Sequence, residues 1–254
     1  MALLQLSGQL ICRSAEERRA VLTHLPEHIR RTLREPGCLY FHVAQTADPM
    51  VFSVSEGFAG TEALEFHQTR MARSKWLAAT RTIRRNYTVT EAAPEIAPEA
   101  PGEEKAIYLL NRDNFGREGE ARFIEDLRAD GALALSVVAK LGRAYLGHVA
   151  FTPMLGGAPR IWALAPVVVR KPCRNQGVGS ALVKTALSIA RDHGVDGIIC
   201  PSEQPFFKRF GFTREDARSF ESPSSKTGLI ALNFRATPME GRGQSWHPAF
   251  EKLA

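Results

Sequence analysis

The sequence predicts two mixed α/β domains in tandem. Residues 1–90 order as strand, helix, strand, strand, helix, strand. Residues 91–104, EAAPEIAPEAPGEE, concentrate proline, alanine and acid and read as a linker. From residue 105 to 254 helices and strands surround one strand, glycine turn and helix. With 254 residues, 44% of them hydrophobic, the chain exceeds one typical domain and can pack two cores.

In the first domain, Leu4, Leu6 and Leu10 mark the opening strand. Ser14-Ala-Glu-Glu17 is a capping box that starts a helix with the stripe Val21, Leu25, Ile29 and Leu33. Pro26 is expected to kink that helix, and Glu35-Pro36-Gly37 ends it. Strands over 38–44 and 50–58 form a hairpin through Ala47-Asp48-Pro49, one helix is expected over 61–80, and 83–90 returns as a strand. That order is ferredoxin-like. Glu35-Pro-Gly-Cys38, Phe52-Ser-Val-Ser-Glu56 and Glu62-Ala-Leu-Glu-Phe-His67 resemble, in order and spacing, the antibiotic biosynthesis monooxygenase family. The resemblance implies a dimeric α+β barrel type of domain, a homodimer through it, and cofactor-independent oxygenation of aromatic substrates in some members. His67 and Trp76 are its candidate residues for chemistry. His67 shares a helical face with Leu64 and Met71, which favours a packed or cavity histidine over a catalyst.

In the second domain, helices are expected over 104–111 and 118–129, and strands over 133–140, 143–152 and 160–169. The last of these is apolar and β-branched, carries Pro166 and ends at Pro172. The turn Arg174-Asn175-Gln176-Gly177-Val178-Gly179-Ser180 follows, and a helix over 176–193 carries Val178, Leu182, Ala186, Ile189 and Ala190 on one face. The first amides of a helix lack internal partners and lie along a dipole that favours negative charge, so the turn suits a phosphate. Gly177 and Gly179 let that phosphate approach the backbone. Gly-Lys-Ser/Thr is absent, and Leu182 stands where a dinucleotide fingerprint needs its third glycine.

The stretch Leu164 to Val183, LAPVVVRKPCRNQGVGSALV, resembles the acyl-CoA signature of the GNAT superfamily of N-acetyltransferases. Val167 and Val169 stand at its strand positions, Arg174 at its Gln/Arg, Gly177 and Gly179 at its glycines and Leu182 at its closing leucine, while the proline comes one residue late at Pro172. Pro205-Phe-Phe-Lys-Arg-Phe-Gly-Phe212 and Gly116 to Arg128 resemble further elements of the superfamily. The resemblance implies the GNAT acyl-CoA N-acyltransferase fold, acetyl-CoA (coenzyme A) as co-substrate, and a small-molecule or peptide amine as acceptor. Its pyrophosphate would sit on the amides of Asn175, Gln176, Gly177, Val178, Gly179 and Ser180 beside Arg174. Backbone groups of Val167, Val168 and Val169 would take the acyl arm. Arg170, Lys171, Lys208 and Arg209 add positive charge nearby.

Acyl transfer to an amine needs a polarised thioester carbonyl and a route for the amine proton. Phe207 stands where the superfamily often places a tyrosine acid, and a phenyl ring donates no proton. Ser202, Glu203 and Cys200, at the end of the preceding strand, are the substitutes, with Glu203 first among them and Ser202 second.

The formal charge is +6, but acidic and basic residues alternate and no nucleic-acid motif occurs, so the charge fits an anionic co-substrate better than a nucleic acid. No apolar run reaches the ~18 residues of a membrane helix, and the first residues alternate like a strand rather than reading as a signal peptide. The 4 cysteines form no C-x-x-C pair or metal-ligand cluster, which points to a reduced, cytoplasmic setting without a structural metal. Three functions follow in order: an N-acetyltransferase, an oxygenase working in the first domain, and a non-catalytic acyl-CoA sensor suggested by Phe207.

Overall fold

The computed structural model describes residues 2–202, 204–224 and 228–253. The chain divides into two compact units: residues 1–95 with 140–146 and 171–176, and residues 96–139, 147–170 and 177–254.

The first unit is built on β1 (Leu3–Ile11), α1 (Ala15–Thr32), β2 (Cys38–Gln45), β3 (Val51–Phe58), α2 (Thr61–Ala72), α3 (Lys75–Thr80) and β4 (Arg84–Ala92). Its four strands form an antiparallel sheet in the order β2-β3-β1-β4, the arrangement that the expected element order requires. Leu6 pairs with Glu56 on one side and Val89 on the other, which fixes which face of each strand meets the helices. Leu6, Leu10, Val21, Leu25, Phe52 and Trp76 make the core.

Helix α1 starts as its capping box predicts. The Glu17 amide donates to Ser14 Oγ at 3.3 Å, and Glu17 Oε2 accepts from the Arg13 amide at 2.7 Å. The helix continues through Pro26 as one element. Leu33, the last member of the expected stripe, lies just past the helix end and is 51% exposed. The helix expected over 61–80 is two helices. Ser74 interrupts it: its Oγ donates to the Met71 carbonyl at 2.6 Å and accepts from the Leu77 amide at 3.2 Å, so it closes α2 and caps α3.

The proline-rich stretch 91–104 holds the end of β4 and a short strand, β5 (Glu95–Pro98). β5 belongs to a second sheet, with β6 (Leu135–Leu141), β7 (Ala144–Pro153), β8 (Ile161–Val169), β9 (Gly197–Cys200) and β10 (Ile230–Asn233). Their order is β10-β9-β8-β7-β6-β5. Helices α4 (Glu104–Phe115), α5 (Gly119–Ala129), α6 (Val178–Asp192) and α7 (Pro205–Lys208) complete the described elements with two short 3-10 turns. Helix α4 runs four residues beyond the expected 111, to a left-handed Gly116 that closes it. Strand β7 is almost wholly buried, with Leu146, Val149, Ala150 and Phe151 inaccessible, and α6 turns Leu182, Val183, Ala186 and Ala190 inward. None of the described helices is long and apolar enough to cross a membrane.

Replacing Ser14 with alanine leaves the Glu17 amide without its side-chain acceptor, and we expect a loss of about 1 kcal/mol. Denaturant unfolding of Ser14→Ala against the parent chain measures it.

Candidate active site

The site is organised by β8. Its antiparallel register with β7 runs Gly147↔Val169, His148↔Val168 and Val149↔Val167, then jumps to Phe151↔Leu164. Ala165 and Pro166 therefore bulge opposite Ala150, where a residue without an amide hydrogen removes no ladder bond. On its other edge β8 pairs in parallel with β9 only over Ile161↔Gly197, Trp162↔Ile198 and Ala163↔Ile199. Beyond Ala163 the register of β8 with β9 stops, while that with β7 continues to Val169.

At the end of β8 a 3-10 turn, Lys171–Cys173, leads to Asn175 and Gly177, both left-handed at φ 61° and 83°. Gly177 is the N-cap of α6, and no side chain caps this helix. The Ala181 amide makes the first bond back, to the Gly177 carbonyl at 2.9 Å. A Cβ added at Gly177 would meet nothing within 4 Å, so the space in front of the helix is open; one added at Gly179 would lie 3.3 Å from Val169 and 3.4 Å from Phe206. The residue types and the room together fit a phosphate group. Arg174 is exposed, and the Gln176 side chain donates to the Ala59 carbonyl at 2.7 Å and to the Pro172 carbonyl at 3.1 Å.

Beside the splay lies a cavity of about 480 Å³. Val167, Ser202 and Phe207 line it; Val168, Val169 and the turn 174–180 do not. Glu203 lies outside the described residues. The Phe207 ring is 5% exposed, 5.2 Å from Phe206 and 5.7 Å from Phe212 between ring centres, a hydrocarbon environment without a proton to give. Cys200 also lines the cavity, and burial pushes its thiol up to about 12, so it stays protonated at neutral pH and is no nucleophile. Lys208 and Arg209 are exposed, with the Arg209 guanidinium 5.1 Å from the Phe206 ring centre.

The sequence reading missed Glu120. Among the described residues it is the carboxylate that lines this cavity, and it is buried, with both oxygens 3.1 Å from Nε of Arg117. The signal was present: Glu120, Phe123, Ile124 and Leu127 fall at helical spacing, so a carboxylate sits on the apolar stripe of α5. His148, deep in β7, is also buried, between Ser136 Oγ at 2.9 Å and Asn111 at 3.3 Å. Burial takes its pKa to about 3, so it is a neutral packing group.

In the first unit, His67 and Trp76 are both buried. His67 Nδ1 lies 2.8 Å from Glu35 Oε2, and Arg70 pairs with the other Glu35 oxygen while donating to Thr32 Oγ1 at 2.7 Å. Trp76 stacks on His28 at 4.7 Å. Glu56 is 5% exposed, and its Oε2 has no hydrogen-bond partner. Burial first, then the nearby Glu35 charge, raises its pKa to about 8; burial first, then Arg70, lowers that of His28 to about 3.

A bulged strand that parts from β9 and feeds an uncapped helix beside a cavity fits an α/β acyltransferase. The acetyltransferase (GNAT) family matches residues 103–212, and the antibiotic biosynthesis monooxygenase family matches residues 14–79. The Escherichia coli K12 protein YhbS, described as an uncharacterized N-acetyltransferase, is 34% identical over 121 residues, which is 46% of this chain and 70% of YhbS. A GNAT family acetyltransferase from Brucella melitensis, solved in complex with acetyl-CoA, is 27% identical with a TM-score of 0.52, covering 62% of this chain and 98% of its own. The structure of Escherichia coli YhbS with CoA, 24% identical, has the same fold at a TM-score of 0.59 over 65% of this chain and 97% of its own. The chain belongs to the GNAT acetyltransferase family, with an antibiotic biosynthesis monooxygenase-like ferredoxin-fold domain in its first part.

Because the folded pKa of Glu56 is raised, its contribution to stability is complete below about pH 4.5 and is lost as pH rises to about 8. The depressed His28 acts oppositely: its contribution is complete above about pH 6.5 and is lost as pH falls to about 3. Unfolding curves between about pH 5 and about pH 8 should show the parent chain losing stability relative to Glu56→Gln as pH rises.

Proposed function

We propose that the second domain transfers an acetyl group from acetyl-CoA to the amine of a small molecule or peptide. The observation that carries this reading is the uncapped head of α6, open in front of Gly177, at the end of a strand that has left its neighbour. Amides at Asn175 to Ser180, with Arg174 beside them, would hold the diphosphate of the co-substrate. Val167 to Val169 would align the acyl arm, and the amide of Val167 or Val168 would polarise the thioester carbonyl. The acetyl-CoA seen with the Brucella melitensis acetyltransferase supports this choice of co-substrate.

The acceptor would enter the cavity lined by Ser202, Glu120 and Phe207. Glu203 stays the first choice for a contact with the amine, with the Ser202 hydroxyl next. Phe207 gives the leaving sulfur no proton; a thiolate leaves without one, because a thiol is acidic near pH ~8.5 where an alcohol is not. The same residue favours a second reading, a domain that binds acyl-CoA without turning it over.

The domain extents we infer are 1–90 and 105–254, joined through 91–104; membership of β4 and β5 in separate sheets supports a break between Ala92 and Glu95. For the assembly we infer a cytoplasmic homodimer formed through the first domain, as the resemblance of that domain implies. Light scattering would then give twice 28.0 kDa.

Acetyl-CoA at a hundred times its Kd should stabilise the chain by about 2.7 kcal/mol. Gly177→Asp, which keeps the left-handed backbone tolerable but places negative charge in front of α6, should weaken acetyl-CoA at least tenfold. No stabilisation of the parent chain at saturating acetyl-CoA would sink both readings. Thiol release over a panel of amines, for the parent and Phe207→Tyr, then separates them: release with an acceptor supports the transferase, and acetyl-CoA binding without release in either version supports the sensor.

A further inference from the structure

The charged side chains that line the larger cavity are, among the described residues, Arg117 and Glu120, and they are unequally placed. Glu120 is 7% exposed, whereas the Arg117 side chain is 65% exposed. Turning a carboxylate onto the apolar stripe of α5, beside Phe123 and Ile124, gives up hydration, and an ion pair with so exposed a partner returns little. What the pairing does achieve is to hold a guanidinium in one orientation at the cavity wall.

A guanidinium offers a carboxylate more than one edge with two parallel N–H donors. Glu120 takes the edge made by Nε and Nη2, with Nε 3.1 Å from both of its oxygens and Nη2 donating to Oε1. The end of the fork, Nη1 with the other Nη2 hydrogen, is engaged by no described residue. It is matched in shape and charge to a second carboxylate, and Glu120 keeps it from turning away.

The rest of the cavity is mostly apolar, with Phe115, Leu164, Pro166, Phe207 and Phe250 among its walls. Its volume of about 480 Å³ falls within the ~300–1,000 Å³ of small-molecule sites. Val167, beside which the thioester carbonyl would lie, is part of the same lining. A molecule that uses all three regions carries an amine, a carboxylate and a hydrocarbon body.

We propose that the acceptor of the second domain is a free amino acid with an apolar side chain, its carboxylate on the open end of Arg117, its side chain against Phe207 and Phe250, and its amine turned to Val167. The inference rests on the transferase reading for the fate of that amine: the nitrogen bonds to the acetyl carbon, the carbon–sulfur bond breaks, and one amine proton ends on the thiol of coenzyme A. Glu120 is a positioning residue that acts through Arg117. A peptide has an amide where the free acid has its second oxygen, and a simple amine has neither.

Calorimetric titration of the full chain in the presence of coenzyme A tests the site without turnover. The ligands are L-leucine and L-phenylalanine, each beside its amide and its decarboxylated amine. Each acid should bind at least tenfold more tightly than its amide or amine, the scale of one charge-assisted, two-bonded pair. In Arg117→Gln that preference should vanish, and in Glu120→Gln it should fall, a ratio that a merely structural glutamate would leave unmoved. Equal affinities of acid and amide for the parent chain would overturn the proposal, as would no binding of either acid up to about 10 mM. Should the variants fail to fold, the comparison on the parent chain decides alone. Thiol release from acetyl-CoA keeps the two readings apart. Preferred binding of the acids without release upholds the carboxylate site and sinks the transfer; release as fast with the amides and amines as with the acids upholds the transfer and overturns the amino acid.

Discussion

The second domain depends on one constraint: β8 cannot pair along its whole length. Pro166 has no amide hydrogen to give a neighbour, the register with β7 jumps over Ala165 and Pro166, and the register with β9 stops at Ala163. A strand that ends its own pairing in the middle of a sheet leaves peptide groups in an apolar setting, which is costly unless a ligand takes them. The same strand delivers the chain into the left-handed Asn175 and Gly177, and so places the bare end of α6 beside the splay. The open backbone and the positive helix end thus have one local cause, and a molecule that carries phosphates at one end and amides along an arm suits both.

Burial then decides what each polar side chain is able to do. His148 and Glu56 are comparably hidden, yet His148 is flanked by Ser136 and Asn111 while Glu56 has an oxygen without a partner. In the first, both ring nitrogens have partners; in the second, a buried carboxyl oxygen goes unpaired. Glu120 is a third case, a buried carboxylate paired through both oxygens with the exposed Arg117 at the edge of the larger cavity. Cys200, in the same cavity, is chemically quiet because burial keeps it a thiol.

Much of this was legible in the sequence. The capping box at Ser14, the hairpin through Asp48 and the glycine turn at 177 rest on local rules, in which a few neighbouring residues decide the backbone. The break at Ser74 was misread because 61–80 is a good helix by spacing, and only the two hydrogen bonds of one serine hydroxyl end it. Strand β5 was hidden in a stretch whose proline content suggests a linker, since a four-residue strand is formed by its neighbour rather than by its own composition.

By itself the sequence determined the strand and helix order apart from β5 and the break at Ser74, the strand, turn and helix that resemble an acyl-CoA signature, and the lack of a phenolic acid at Phe207, because each is a matter of residue type at short spacing. Tertiary structure alone decided that Glu35, Glu56 and His67, drawn from three separate motifs, meet in one buried cluster, and that Glu120 joins Ser202 and Phe207 at one cavity. Those groupings depend on strand register and on which face of a helix is turned inward, and such long-range pairings leave no trace in the spacing of residues along the chain.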